Sequence, residues 1–173
     1  MTAAEALRAG LLVVLPTDTV YGLCCAATPA AIDRLYVLKG RDPSQPSALL
    51  AASVDDLLAA VPELDRERIR PGAYTSILPN PARRFPWICG TTPDAIGVRV
   101  QNLPRVAADV IRELGAVVAT SANLHGGADP RSIDELDPVI RAGAAAIVDG
   151  GELPGIPSTV IDFTGAEPRV IRR

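Results

Sequence analysis

The chain has 173 residues, of which 48% are apolar and 21% charged, with a formal charge of −3. That is the profile of one folded soluble domain with ample apolar mass for a core. The slight acidity argues against a general polyanion binder, which would be basic, and no apolar run reaches the roughly 18–20 residues of a membrane span. Residues 1–5 lack the basic and apolar regions of a signal peptide. Three cysteines, Cys24, Cys25 and Cys89, show no metal-ligand spacing. They read as small buried residues in a reducing, cytoplasmic compartment.

In chain order, Thr2-x-x-Glu5 has capping-box spacing and opens a short helix stopped at Gly10. The apolar run 11–15 reads as a buried strand that Pro16 ends. Thr17, Asp18, Thr19, Tyr21 and Gly22 then form a polar loop at a strand end, where α/β proteins build sites. The same residues equally suit an ordinary Asx or Thr turn. Pro29 to Lys39 is a helix by the spacing of Ile32, Leu35, Tyr36 and Leu38, with Gly40 at its C-terminal cap. Lys39 and Arg41 stand at that helix end and lead into the loop 42–46. Residues 47–52 are a strand, Ser53 caps the next helix, and the charged stretch 63–70 reads as a solvated helix.

Pro71-Gly72 marks a turn and 74–78 a strand, followed by a long Pro- and Gly-rich loop over 79–92. Residues 95–100 form a strand with Arg99 emerging near its end. Pro104, at an N1-like position, opens a helix over 105–114 that Gly115 closes. The strand 116–119 empties into Thr120-Ser121-Ala122-Asn123. Ser132-x-x-Glu135 is a second capping box, opening a helix to about residue 141. A strand over 144–148, a loop reaching Ser158-Thr159, a strand over 160–163 and a last strand near Val170 complete the chain. Strands alternating with helices predict an α/β, or mixed-sheet α+β, domain over residues 1–173.

Four polar clusters each adjoin a predicted strand: Thr17-Asp18-Thr19-Tyr21, Lys39-x-Arg41, Thr120-Ser121-x-Asn123 and Ser158-Thr159. Arg99 and Arg172 are strand-end cations. On one sheet such clusters converge on one cleft. Hydroxyls, amides and guanidiniums orient ligands and hold anions. Sixteen of the 17 basic residues are Arg and one is Lys39, which marks a place where a compact ammonium is wanted. There is no GxxxxGK[ST] and no GxGxxG after the first strand. His125 is the one histidine, so a His-based metal site is excluded. It reads as an exposed loop residue, since Ser121 and His125 in one loop make a poor catalytic pair. The inventory favours positioning and charge stabilisation of a phosphorylated ligand over covalent catalysis. By itself it specifies a binder of a nucleotide-like anion and a small polar molecule.

The motifs Pro16-Thr17-Asp18-Thr19-Val20-Tyr21-Gly22-Leu23, Lys39-Gly40-Arg41, Pro71-Gly72 with Thr75, Gly97-Val98-Arg99, Ser121-Ala122-Asn123 and Pro157-Ser158-Thr159-Val160-Ile161-Asp162 occur in this order. Together they resemble the YrdC/Sua5 family of threonylcarbamoyl-AMP synthases in its single-domain form. The resemblance implies a twisted mixed β-sheet flanked by helices, with one large concave cleft. It implies that L-threonine, bicarbonate and ATP give threonylcarbamoyl-adenylate, pyrophosphate and water. The product then passes to a partner complex that modifies adenosine 37 of tRNAs reading ANN codons, with direct tRNA binding left open. It further implies Thr17, Thr19, Tyr21, Arg99 and Ser158 at the threonine, and Lys39 and Arg41 as catalytic groups at the phosphates. Gln45, Thr120, Ser121, Asn123 and Arg172 would lie on the nucleotide, with Mg²⁺ carried by ATP. Two departures stand out: Leu50 replaces a family His, and Arg70-Pro71-Gly72-Ala73-Tyr74-Thr75 replaces Trp-Pro-Gly-Pro-Leu-Thr. Two rivals are a carbamoyl-adenylate-handling domain of a carbamoyltransferase and a non-catalytic RNA-binding module. The few aromatic residues count against the latter.

Overall fold

The computed structural model describes residues 1–172. Its first helix, α1 (Ala3–Arg8), has the capping box that Thr2 and Glu5 encode: Glu5 N donates to Thr2 Oγ1 at 3.2 Å and Thr2 N to Glu5 Oε2 at 2.7 Å. Strand β1 (Val13–Pro16) includes Pro16, which stands opposite Tyr21 in register. The polar stretch that follows is therefore a hairpin turn, because Tyr21–Cys25 is a second strand, β2. All five of its residues are buried, so it shows no apolar alternation that would betray a strand. Helix α2 (Pro29–Lys39) starts with proline at its first turn and ends at Gly40, whose φ of 62° is the left-handed cap.

Next come β3 (Ala48–Ala51) and α3 (Val54–Ala60), whose cap Ser53 accepts from Asp56 N. The charged stretch 63–70 is not a full helix but one 3₁₀ turn, Arg66–Arg68. Leu64 and Ile69 are drawn into the core on either side of it, and Pro71 disfavours a helical Arg70. Strands β4 (Tyr74–Pro79) and β5 (Ala95–Val100) flank the long loop, which contains the 3₁₀ turn Pro86–Ile88. Helix α4 (Arg105–Arg112) takes Pro104 at its N-cap, and Gly115 turns the chain at φ 80°. Strand β6 (Ala116–Ser121) runs two residues further than the apolar run suggests, carrying Thr120 and Ser121 into the sheet.

The second capping box does not form. Glu135 Oε2 accepts from Arg131 N at 2.7 Å instead, and Ser132 caps nothing. Pro138 excludes helical geometry at Asp137, which becomes the cap of a separate helix, α5 (Pro138–Gly143). Strands β7 (Ala146–Ile147), β8 (Thr159–Asp162) and β9 (Arg169–Arg172) follow.

All nine strands lie in one mixed sheet of order β7-β1-β2-β6-β3-β5-β4-β8-β9. Of its eight pairings, β1–β7, β3–β5 and β4–β8 are parallel and the rest antiparallel. One face is covered by α2, α3 and α5, which bury Ile32, Leu35, Leu57 and Ile140 against Leu23, Leu49, Val98 and Val118. The other face is covered only in part. There α1 and α4 bury Leu7 and Ile111 against Val13, Cys24, Leu50 and Val117. Adjacent Cys24 and Cys25 point to opposite faces, as strand neighbours must. The half-covered face leaves room for a site.

Candidate functional site

Beyond the reach of α1 and α4, the second face is floored by small residues at alternate positions: Ala48, Gly97, Ala95 and Ala119. Side chains that short leave a cavity of about 290 Å³. Thr75, Ile77 and Val160 extend the floor. Pro46, Ser47, Cys89 and Thr92 form one wall, where the loop 80–94 meets the segment after α2. That loop is held in shape by Asn80, whose Nδ2 donates to the carbonyls of Arg84 at 2.9 Å and Pro93 at 3.0 Å. Ser47 N donates to Ile88 O at 2.9 Å. Gly90 packs so closely on the 42–46 loop that a Cβ there would lie 2.3 Å from Ser44 O.

The opposite wall is a strap, residues 149–158, that carries the chain from the β7 edge across to β8. Gly155 N donates to Thr19 O at 2.8 Å, and Leu153 N donates to Arg131 O at 2.8 Å. Pro157 and Ser158 enter the cavity from it. Ser158 Oγ lies 2.8 Å from Thr75 Oγ1, and Arg172 donates from NH2 to Ser158 O at 3.1 Å and Ser158 Oγ at 3.2 Å.

Among the described residues three guanidiniums, Arg41, Arg99 and Arg172, line this one cavity, against a single carboxylate, Asp129. None of the three forms an ion pair among the described residues. Burial makes the charge of Arg99 harder to keep; Asp18 opposes that effect and Arg172 adds to it. Burial also lowers the pKa of Arg41. Unpaired, partly desolvated cations around a polar cavity are a receptor for anions.

The hairpin turn after β1 is self-supporting. Thr17 Oγ1 donates to Val20 O at 2.6 Å and accepts from Thr19 N and Val20 N. Thr19 is thereby presented to the cavity, where its Oγ1 accepts from Arg99 NH2 at 3.3 Å. Gly22 lets this turn approach β6: a Cβ there would lie 3.2 Å from Thr17 Cγ2 and 3.5 Å from Thr120 O.

Lys39 is 3% exposed and lies behind the cavity wall. Its Nζ donates to Ser121 O, to Asn123 O at 2.7 Å and to Asn123 Oδ1 at 2.8 Å, which uses all three ammonium protons. His125 N returns a bond to Lys39 O at 2.9 Å. Asn123 is equally committed, since its Nδ2 donates to Gly127 O at 2.6 Å and Asp129 Oδ1 at 3.0 Å. Burial, reinforced by Arg41, pulls the Lys39 pKa down to about 8.

Of the residues singled out in the sequence, Thr19, Arg41, Arg99, Thr120, Ser121, Ser158 and Arg172 line the cavity. Thr17, Lys39 and Asn123 hold the segments that carry them. Tyr21 stands apart. Its phenol donates to Gly151 O at 2.8 Å, near Asp149 Oδ1 at 3.2 Å, and accepts from Gly150 N at 2.9 Å. It fastens the strap, and burial raises its pKa. Gln45 does not line the cavity; its backbone O accepts from Tyr36 Oη at 3.0 Å.

A family model described as "Telomere recombination" (Sua5_yciO_yrdC) matches residues 5–173. The chain belongs to the Sua5/YciO/YrdC family. It is 34% identical to the threonylcarbamoyl-AMP synthase of Chromohalobacter salexigens, covering 95% of this chain and 92% of that protein. The crystal structure of Pyrococcus abyssi Sua5 complexed with L-threonine superposes with a TM-score of 0.81 at 33% identity, over 98% of this chain and 52% of that one. This chain thus spans about half the length of that relative. Escherichia coli YciO matches with a TM-score of 0.82 at 28% identity, over 99% of this chain and 86% of that one. The mixed α/β architecture is that of the Sua5 and YciO structures.

Leu50, one of the two departures from the family pattern, is fully buried beside the cavity floor. It stands opposite Arg99 in the β3–β5 register and packs with Cys24 and Val117. Thr92 and Asp129 also reach the cavity, and no local signal in the sequence marks them. Both lie in loops whose position is decided by distant anchors, Asn80 and Asn123. Among the described residues no three His, Cys, Asp or Glu side chains gather as a metal site, and no helix is long and apolar enough to cross a membrane.

Proposed function

We propose that the protein is an ATP-dependent threonylcarbamoyl-AMP synthase, a nucleotidyl-transferring enzyme that joins L-threonine, bicarbonate and ATP. The observation that carries this reading is the cavity lined by Arg41, Arg99 and Arg172 together with several hydroxyls, with no ion-pair partner for any of the three among the described residues. Such a cavity suits an anionic ligand. The relatives named for this reaction supply the chemistry such a cavity would serve.

The cations fall into two groups. Arg99 and Arg172 lie close enough to repel one another, and Arg172 is bonded to Ser158. With Thr19 and Thr75 they suit the carboxylate and hydroxyl of an amino acid. Arg41 lines the same cavity as Thr120 and Ser121, and this group is assigned to the phosphates. The α-amine of threonine takes up the carbon of bicarbonate, with loss of water, as a carbamate. A carbamate oxygen then attacks the α-phosphorus of ATP and pyrophosphate leaves. Carbamate is a weak nucleophile that decomposes in water. The protein's task is alignment, exclusion of water and neutralisation of developing charge, and fixed guanidiniums in a partly desolvated cavity suit that task. Lys39, with its three protons committed, contributes by fixing Ser121 and Asn123.

Mg²⁺ fits this donor set only as a passenger on ATP. Among the described residues one carboxylate, Asp129, lines the cavity, so phosphate oxygens would supply most of its ligands. The product adenylate would be handed to the complex that modifies adenosine 37 of ANN-decoding tRNAs. The test is incubation with ATP, Mg²⁺, bicarbonate and radiolabelled threonine. Threonine-dependent pyrophosphate release with a labelled adenylate is expected, and absence of both refutes the reading. Adenylate formation that depends on carbamoyl phosphate instead would transfer the protein to the carbamoyltransferase class.

A further inference from the structure

Five buried side-chain atoms lack a protein partner among the described residues, and four of them belong to Asp18, Arg99 and Gln101. Two of these residues, Asp18 and Arg99, lie where the hairpin turn docks on the end of β5. The docking has two points: Arg99 NH2 donates to Thr19 Oγ1 at 3.3 Å, and Asn102 N donates to Asp18 Oδ2 at 3.2 Å. The second bond fixes the Asp18 carboxylate and leaves Oδ1 buried, without a donor, inside the turn. Unpartnered buried polar atoms are rare, and a cluster of them calls for an explanation.

Among the described residues Asp18 is the one carboxylate whose field supports the Arg99 cation, against burial and the repulsion of Arg172. Yet no oxygen of Asp18 comes within 4.0 Å ion-pair contact of a guanidinium among the described residues. A directly paired carboxylate would occupy the N–H groups of Arg99 and compete with a substrate carboxylate for them. A carboxylate beyond ion-pair contact supplies charge balance without occupying the N–H groups of Arg99. We infer that Asp18 is the positioning residue for Arg99, holding its guanidinium inside the cavity with its N–H groups turned to the carboxylate of the amino-acid substrate. The inference rests on the function proposed above. It gives a task to the central acid of Thr17-Asp18-Thr19, which itself does not line the cavity.

The experiment compares wild type with Asp18→Asn, which keeps the acceptor for Asn102 N and removes the charge. Without its counter-charge Arg99 is pushed outward by Arg172. The KM for threonine rises roughly tenfold, the scale of one charged contact, while the KM for ATP and the melting temperature stay near wild type. Asp18→Glu recovers part of the loss. L-Threoninamide, which has no carboxylate, inhibits both proteins equally. In an Arg99→Gln background, Asp18→Asn adds no further rise. A threonine KM that is unchanged or lowered in Asp18→Asn, or an ATP KM that rises equally, overturns the inference while the proposed function stands. The full tenfold rise reappearing on top of Arg99→Gln also overturns it. A wild-type protein that forms no threonine-dependent adenylate refutes the proposed function and the Asp18 assignment with it.

Discussion

Replacing Lys39 by Met keeps the aliphatic stem and removes the ammonium, and its effect on stability can be worked out with a sign. Three acceptors lose a donor, but two retain another: Ser121 O keeps Thr120 Oγ1 at 3.1 Å, and Asn123 Oδ1 keeps Ser121 Oγ at 2.8 Å. Asn123 O alone is stranded, at a cost of about 1–3 kcal/mol. On the other side, the Lys39 pKa falls from 10.5 to about 8 on folding. At neutral pH the folded wild type therefore carries a penalty of ~3 kcal/mol, at 1.36 kcal/mol per tenfold. The two effects nearly cancel, so Lys39→Met melts within about 5 °C of wild type at pH 7.

Between pH 8 and about 10.5 the unfolded wild type still binds the proton and the folded protein does not, so wild-type stability rises with pH there. The variant lacks this gain. Its melting temperature drops behind by about 6–12 °C across that window, at 2–4 °C per kcal/mol. Parallel thermal melts by circular dichroism from pH 7 to 10 measure the gap, and effects of other titrating groups cancel in the difference. A gap that stays constant or narrows as the pH rises refutes the buried-ammonium reasoning. Threonine-dependent adenylate formation falls on the order of a hundredfold at every pH, because the 120–123 turn is no longer pinned.

Two more perturbations separate scaffold from site. Tyr21→Phe removes the fastening of the strap at Gly150 and Gly151 and costs about 1–2 kcal/mol. Hydrogen exchange quickens at residues 149–155 while the threonine KM stays within about twofold, whereas a larger rise in KM would put the phenol on the substrate. Gly90→Ala introduces a side chain at φ 60° with a backbone oxygen 2.3 Å from its Cβ. It destabilises by at least ~1–3 kcal/mol and, by displacing the loop that carries Pro46, raises the KM for ATP. Chemical denaturation and initial-rate kinetics check both outcomes.

Much was legible because local chemistry repeats it. Helix α2 reads from Pro29 to the Gly40 cap, and α1 from its capping box, since spacing and end signals lie within one turn of each other. Strand β2 was hidden: Tyr21-Gly22-Leu23-Cys24-Cys25 is buried on both faces and carries no period of two. The helix expected after Ser132 failed because Pro138 outweighs a capping box. The family motifs put Lys39 at the phosphates and Asn123 on the nucleotide, and nothing in the sequence showed that the two bond each other.

By itself the sequence determined the alternation of elements, the absence of a phosphate-loop or histidine-metal site, and which residues carry hydroxyls and cations. Those properties follow from composition and from contacts within a few residues. The tertiary structure alone decided that Arg41, Arg99 and Arg172 share one cavity, and that Lys39 and Tyr21 bond to the 121–123 turn and the 149–151 strap. It also decided that a strap from the far edge of the sheet closes the wall. These depend on strand order and register, which join residues 19, 99 and 158 through the antiparallel and parallel pairings of a nine-stranded sheet. No local window of the chain contains that information.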